Sequence, residues 1–312
     1  MTDLPAHDTA AAAPAAPAPR YLSAPLAHIG AWTHYFLHAE IPVLAATAQA
    51  LEDLRAMEDD VDSNMLTPVI QADPLMTLKL LAHMGNLRRP GSHTETETIT
   101  SSLVLLGIAP FFRHFGPQRT VEDWLADQPR ALDALRKLLI RAERSGQFAL
   151  AFAVHRCDTD ATIIHLAAFL HDFAEMLLWI HAPTLMVRIQ DAQAADATLR
   201  SSVIQRDVLG VQISDLCQSL MRLWHLPELL VSISDERHAE RPNVQSVVLA
   251  VRLARHTARG WDNPALPDDY ADIARLLNAS PRVIPSFLSK IDHPILEAAT
   301  LRVRAHPDVP SA

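Results

Sequence analysis

A chain of 312 residues, 49 % of them hydrophobic, is long enough to bury the core of one large domain or two small ones. Its formal net charge of -9 argues against nucleic acid or an anionic membrane as the main partner, because like charges repel. The two cysteines, Cys157 and Cys217, lie too far apart for a zinc clamp or a disulfide framework and are expected to be reduced core residues.

Residues 1–20 are rich in Ala and Pro, which bury little and remove donors, so a mobile tail is expected there. The tail lacks the basic start and apolar block of a signal peptide. No uninterrupted apolar stretch reaches roughly 18 residues, so no membrane-spanning helix and a cytoplasmic location are expected. Beyond the tail, helical spacing recurs and no strong alternating pattern appears, which predicts an all-α fold. "PVLAATAQALEDLRAME" places Leu44, Thr47, Leu51 and Leu54 on one stripe. "SNMLTPVIQADPLMTLKLLAHMGN" reads as two short helices, with Asp73 as a cap and Pro74 in the next first turn, and Leu75, Leu78 and Leu81 facing inward. "RRPGSHTETETIT" reads as a loop, and "TSSLVLLGIAPFFRHFG" as a helix pair broken at Gly107.

Further on, the pattern predicts helices from Val121 to Asp127 and from Pro129 onward, and one strongly apolar helix from Ala161 to His181. Three more follow at about 185–195, 199–224 (broken near Gly210) and 242–259. "WDNPALPDDY" reads as a loop, and short helices at about 270–278 and 281–291 close the chain before a fraying end. The five tryptophans, Trp32, Trp124, Trp179, Trp224 and Trp261, read as core or packing residues.

The order of these segments resembles the HDOD domain, a regulatory branch of the HD superfamily related to HD-GYP enzymes. The resemblance runs from Ile41 to about His256. It rests on "IPVLAATAQALEDL", "VIQADPLMTLKLLAHMGN", "ITSSLVLLGIAPF", "AAFLHDFAEMLL" and "DVLGVQISDLCQSLMRLWHLPELL", in that order. It implies a multi-helix HD-like bundle over 21–295, with an N-terminal helical part to about 128, an HD-like part from about 129, and a C-terminal tail at 296–312.

In that superfamily an adjacent His-Asp pair ligates metal, and here the pair is His171-Asp172. The resemblance also implies an earlier His, later ligands and a following Lys. At the matching places this chain has Arg144, Gln212, His238 and Arg255, and Glu175 where the Lys is expected. Arginine cannot ligate a metal and repels one. On its helix, His171 shares a stripe with Ala167, Leu170, Ala174 and Leu178, which suits a hydrogen-bonded core residue, while Asp172 and Glu175 can pair with Arg144 or Arg255. A metal-bound active site remains the rival reading of the pair.

Other candidates are a His34, His38 and Glu40 helix face, more readily a wet surface than a metal site, and a phosphate contact at Arg88 and Arg89, more readily a solvated loop. The chain has no HExxH, glycine-rich nucleotide loop or GxSxG. The expectation is a non-catalytic regulatory module of bacterial signal transduction that needs no cofactor or metal and acts on a protein partner. Two alternatives stand beside it: a metal-dependent phosphohydrolase acting on a nucleotide or cyclic dinucleotide, and a nucleotide sensor that does not cleave its ligand.

Overall fold

The helical spacing becomes helix throughout the described residues. The computed structural model describes residues 20–87, 98–196 and 198–293; they form α-helices and short 3-10 turns. The fold is all-α: extended pairing among the described residues is confined to one bridge between Val43 and Thr120. The expected tails, apart from Arg20, and the loop with Arg88 and Arg89 lie outside the described residues.

The first part of the chain holds α1 (Ile29–His38), α2 (Ala45–Arg55), α3 (Ser63–Gln71), α4 (Pro74–Leu87), α5 (Ile99–Leu106), α6 (Ile108–His114) and α7 (Val121–Trp124). Local chemistry sets several of their ends. Asp62 accepts from Met65 N at the start of α3. Asp73 accepts from Leu75 N and Met76 N at the start of α4, and its other oxygen takes Leu44 N at the start of α2. One buried carboxylate thereby fixes two helix starts against each other. Gly107 stands at φ +83, where a side chain is disfavoured, and turns α5 into α6.

The second part is built on α8 (Pro129–His155), a 27-residue helix. Against it pack α9 (Ala161–Phe169), α10 (Phe173–His181), α11 (Pro183–Ala195) and α15 (Pro242–His256). Between α11 and α15 come α12 (Ser201–Leu209), α13 (Ile213–Leu223) and α14 (Glu228–Ile233), with Gly210 at φ +74 ending α12. After α15 come α16 (Leu266–Leu276) and helical residues 284–293. The segment Ala161–His181 is apolar enough to cross a membrane by composition, but 78 % of its apolar window is buried inside the fold.

The two parts are tied together by polar contacts at apolar seams. Leu22 N donates to His181 O at 2.7 Å, and Trp32 Nε1 donates to Leu209 O at 3.1 Å. Buried His181 sits between Tyr35 Oη (3.0 Å) and Glu40 O (2.8 Å). Burial pushes its pKa down to about 4, so it is neutral: Nε2–H donates to Glu40 O and Nδ1 accepts from the Tyr35 hydroxyl.

Several expectations need correction. The predicted helix Ala161–His181 is two helices separated at residues 170–172. Helix α7 ends at Trp124 and not near Asp127, and the "LPDDY" of the expected loop already belongs to α16, with Pro267 in its first turn. Helix α14 has no counterpart among the predicted elements. Cys157 is exposed; only Cys217 is a core residue. Trp261 is 37 % exposed, unlike the other four tryptophans, although its Nε1 donates to Asp292. His34 and His38 meet edge to face, but Glu40 pairs with Lys79 at 2.6 Å and does not share their face.

Gly85 shows why a small residue stands in the last turn of α4. A Cβ there would stand 2.8 Å from the carbonyl oxygen of His225 and closer still to that of Trp224. Both obstacles are backbone, in a turn where His225 already has φ +50. Gly85→Ala is therefore expected to cost about 3 kcal/mol through overpacking, visible as a lower urea midpoint at unchanged slope. Wild-type stability in that variant would show that α4 and the turn are not in close contact.

Candidate functional site

The pair His171-Asp172 lies in the break between α9 and α10, not within a helix. His171 N reaches Ala168 O at 3.4 Å, and Asp172 (φ -97, ψ 17) becomes the residue before the first turn of α10. The break takes His171 off the apolar stripe where the spacing had placed it and turns it toward a cavity. There Nδ1 meets Asp172 Oδ1 at 2.8 Å and Nε2 meets Glu236 Oε1 at 2.7 Å. A neutral imidazole has one N–H; a ring with a carboxylate at each nitrogen is held as the imidazolium, donating twice. Burial opposes that charge, but Asp172 and Glu236 outweigh it and raise the pKa to about 9.

Asp172 has a second cation. Arg141 donates to Asp172 Oδ2 through Nε at 3.0 Å and Nη2 at 2.8 Å, and to Glu175 Oε2 at 3.1 Å. Burial works against the Asp172 carboxylate, but His171 and Arg141 hold it well below the usual carboxylate range. Glu175 goes the other way: burial raises it, the nearby Asp172 adds to that, and Arg141 only partly offsets them.

These groups line a cavity of about 650 Å³ between α8, α10–α13, residues 234–237 and α15. Of the residues singled out from the sequence, His171, Asp172, Glu175, Gln212 and Arg255 all reach it. Gln212 also precedes the first turn of α13. Arg144 is not among the lining residues. It is 3 % exposed and turned the other way, with Nε and Nη2 on Asp292 at 2.6 and 2.9 Å and Nη2 on Thr257 Oγ1 at 2.7 Å. The carboxylates therefore pair with Arg141, three residues earlier on α8, and not with Arg144. His238 is an exposed residue near Glu240 and does not line the cavity.

The residues present do not fit a hydrolytic divalent metal. Both nitrogens of His171 are committed to carboxylates, Arg141 occupies Asp172, and Arg255 lines the same space. Among the described residues no group of three or more His, Cys, Asp or Glu side chains is arranged to hold an ion. Cys217 is near His171 O (3.8 Å), but burial raises its thiol pKa far above the ordinary value, so it is no thiolate ligand.

Arg141 and Glu236 were missing from the sequence-based candidates. Arg141 could have been found as the basic residue one turn before Arg144. Glu236 arrives from 65 positions away through a 3-10 turn, for which spacing gives no signal.

A family model for the HDOD domain matches residues 41–240. The chain belongs to the HDOD family. The match stops before α15, so Arg255 and the residues around Asp292 lie beyond it. The fold is similar to that of the MmoQ response regulator from Methylococcus capsulatus str. Bath, with TM-score 0.56, 18 % identity, and 81 % of this chain and 99 % of that one covered. It is also similar to a virulence factor from Campylobacter jejuni subsp. jejuni, with TM-score 0.54, 18 % identity, and 80 % and 91 % covered. Among curated proteins none matches the sequence.

Two outcomes are expected, one from the buried Arg144–Asp292 pair and one from the site. Arg144→Met strands Asp292 in the core and should cost about 3–5 kcal/mol, whereas Arg144→Met combined with Asp292→Leu should recover most of the loss. Denaturant melts of the single and double variants check this; equal losses in both would mean that the pair itself supplies net stability. The His171 clamp gives a pH signature. Its folded pKa, about 9, lies above the unfolded value of about 6.5. Its contribution is therefore complete below about pH 6.5 and lost as pH rises through 9. The difference in melting temperature between wild type and His171→Gln should shrink across that window, and a difference that grows with pH would contradict the imidazolium assignment.

Proposed function

We propose that this HDOD protein is a non-catalytic regulatory module of bacterial signal transduction, acting in the cytoplasm through contact with a protein partner. The carrying observation is the closed clamp on His171. A hydrolase of this superfamily type needs an imidazole lone pair for the metal and an open position for water. Here each nitrogen faces a carboxylate within 2.8 Å. The family supports a regulatory role, and one similar structure is described as a response regulator. Exposed apolar side chains on α5, Val104 at 68 % and Leu105 at 58 %, are consistent with a protein contact.

The test pairs elemental analysis of chelator-free protein with assays on cyclic di-GMP and general phosphodiesters, manganese or iron being added. Substoichiometric metal and no turnover above background are expected. One tightly bound transition metal per chain, or turnover that Asp172→Asn abolishes, would make the protein a phosphohydrolase and overturn the proposal.

A further inference from the structure

The clamp and the cavity leave a second histidine pair without a role. His34 and His38 lie four residues apart on α1, so they stand one turn apart on the same face. The sequence groups Glu40 with them, but Glu40 pairs with Lys79 and the two histidines remain together. Both are exposed. Their rings meet edge to face, with centroids 5.2 Å apart and planes at 76°, and neither ring is hydrogen-bonded to a described residue. The opposite face of α1 is fixed in the core: Trp32 and Phe36 are 0 and 2 % exposed, and Trp32 Nε1 donates to Leu209 O. The turn that carries the pair is therefore already built, and a ligand does not have to order it.

Two imidazoles at this helical spacing are the pair with which an HExxH helix holds zinc. The separation of the rings fits such an ion. A zinc–nitrogen bond is about 2.0–2.1 Å and a ring nitrogen lies about 1.1 Å from the centre of its imidazole, so each centre stands about 3.2 Å from the ion, and at a tetrahedral angle the two centres are about 5.2 Å apart. That is the separation observed. To aim both nitrogens at one point, an exposed ring has only to turn about its Cβ–Cγ bond, and no hydrogen bond opposes the turn. His38 is also the last residue of α1, where the negative end of the helix dipole favours a cation. The place of the HExxH glutamate is held by Tyr35, whose hydroxyl bonds His181, so an ion here has no adjacent general base.

We propose that His34 and His38 form a surface site for one transition-metal ion of the zinc class, with water in its remaining positions. Imidazole nitrogen suits zinc, nickel and copper, and magnesium prefers an all-oxygen shell. The site lies before residue 41, where the family match begins, and outside the cavity. The proposal therefore goes beyond the partner-binding function and does not depend on it. With only two protein ligands the ion exchanges with solvent, so the site responds to metal supply and does not retain metal through purification.

The experiment is calorimetric titration of the full, untagged chain at neutral pH with zinc chloride, and with magnesium chloride in parallel. The tightest zinc event should saturate at one ion per chain, and magnesium should give none. That event should weaken by about tenfold or more in His34→Ala and equally in His38→Ala, because either change leaves a single ligand. Both side chains are exposed, so the variants should fold, which circular dichroism verifies. His238→Ala, which removes an exposed histidine outside α1, should bind zinc as wild type. Absence of a saturable zinc event in the wild type, or undiminished binding in the double variant His34→Ala with His38→Ala, overturns the proposal. A zinc event that Asp172→Asn removes and the double variant keeps would put the ion in the cavity, overturning this proposal and the non-catalytic reading together. Loss of zinc in the α1 variants alone supports the site and leaves that reading standing, so the two can fail separately.

Discussion

His171 keeps its proton because a carboxylate holds each ring nitrogen, and the site's other contacts are arranged around that cation. Removing an imidazolium and the Asp172 carboxylate from water costs several kcal/mol per ion, which Coulomb attraction recovers only when the geometry is close and the remaining lone pairs are filled, while Glu236 keeps more than half of its side chain in water. Both conditions hold. The two contacts are 2.8 and 2.7 Å, and the free oxygen of Asp172 is taken by two nitrogens of Arg141. Asp172 is the shared member, and its loss deprives both His171 and Arg141 of a carboxylate, so the contacts are coupled through it.

The fold supplies that geometry from three separate places. Helix α8 contributes Arg141 toward the cavity and, less than one turn on, Arg144 toward Asp292, so one straight element anchors both the site and the C-terminal helical residues. The close approach of α8 to α9 depends on Gly146, where a Cβ would stand 3.0 Å from His165. The break between α9 and α10 then brings His171 to Glu236. Finally, the 3-10 turn Glu236–His238 delivers Glu236 across the cavity wall.

Elements set by local chemistry were legible in the sequence. The Asp73-Pro74 start of α4, the Gly107 turn and the Gly210 stop each use residues whose backbone or capping preference states their role. The break at 170–172 was not legible. Its sequence, Leu170, His171, Asp172, contains neither Gly nor Pro and continues the helical spacing on both sides. Contacts with Arg141 and Glu236, 31 and 65 positions away, hold it in place, and no local window includes them. Arg144 failed for a related reason. The family pattern marks a neighbourhood on α8, but a shift of three residues changes the face by about 60°, enough to separate the cavity from the opposite core.

A cavity walled by Asp172, Glu175 and Glu236 needs positive charge from somewhere. A bound divalent ion would supply it from within the cavity. Here Arg141 and His171 supply it from the wall, and each bonds two of the carboxylates. Neutralisation from the wall has a geometric consequence, because it leaves the middle of the cavity open. Two wall cations face three carboxylates, and Arg255, which lines the same space, supplies the third positive charge. The same cations that leave His171 no lone pair for a metal therefore also keep that space open.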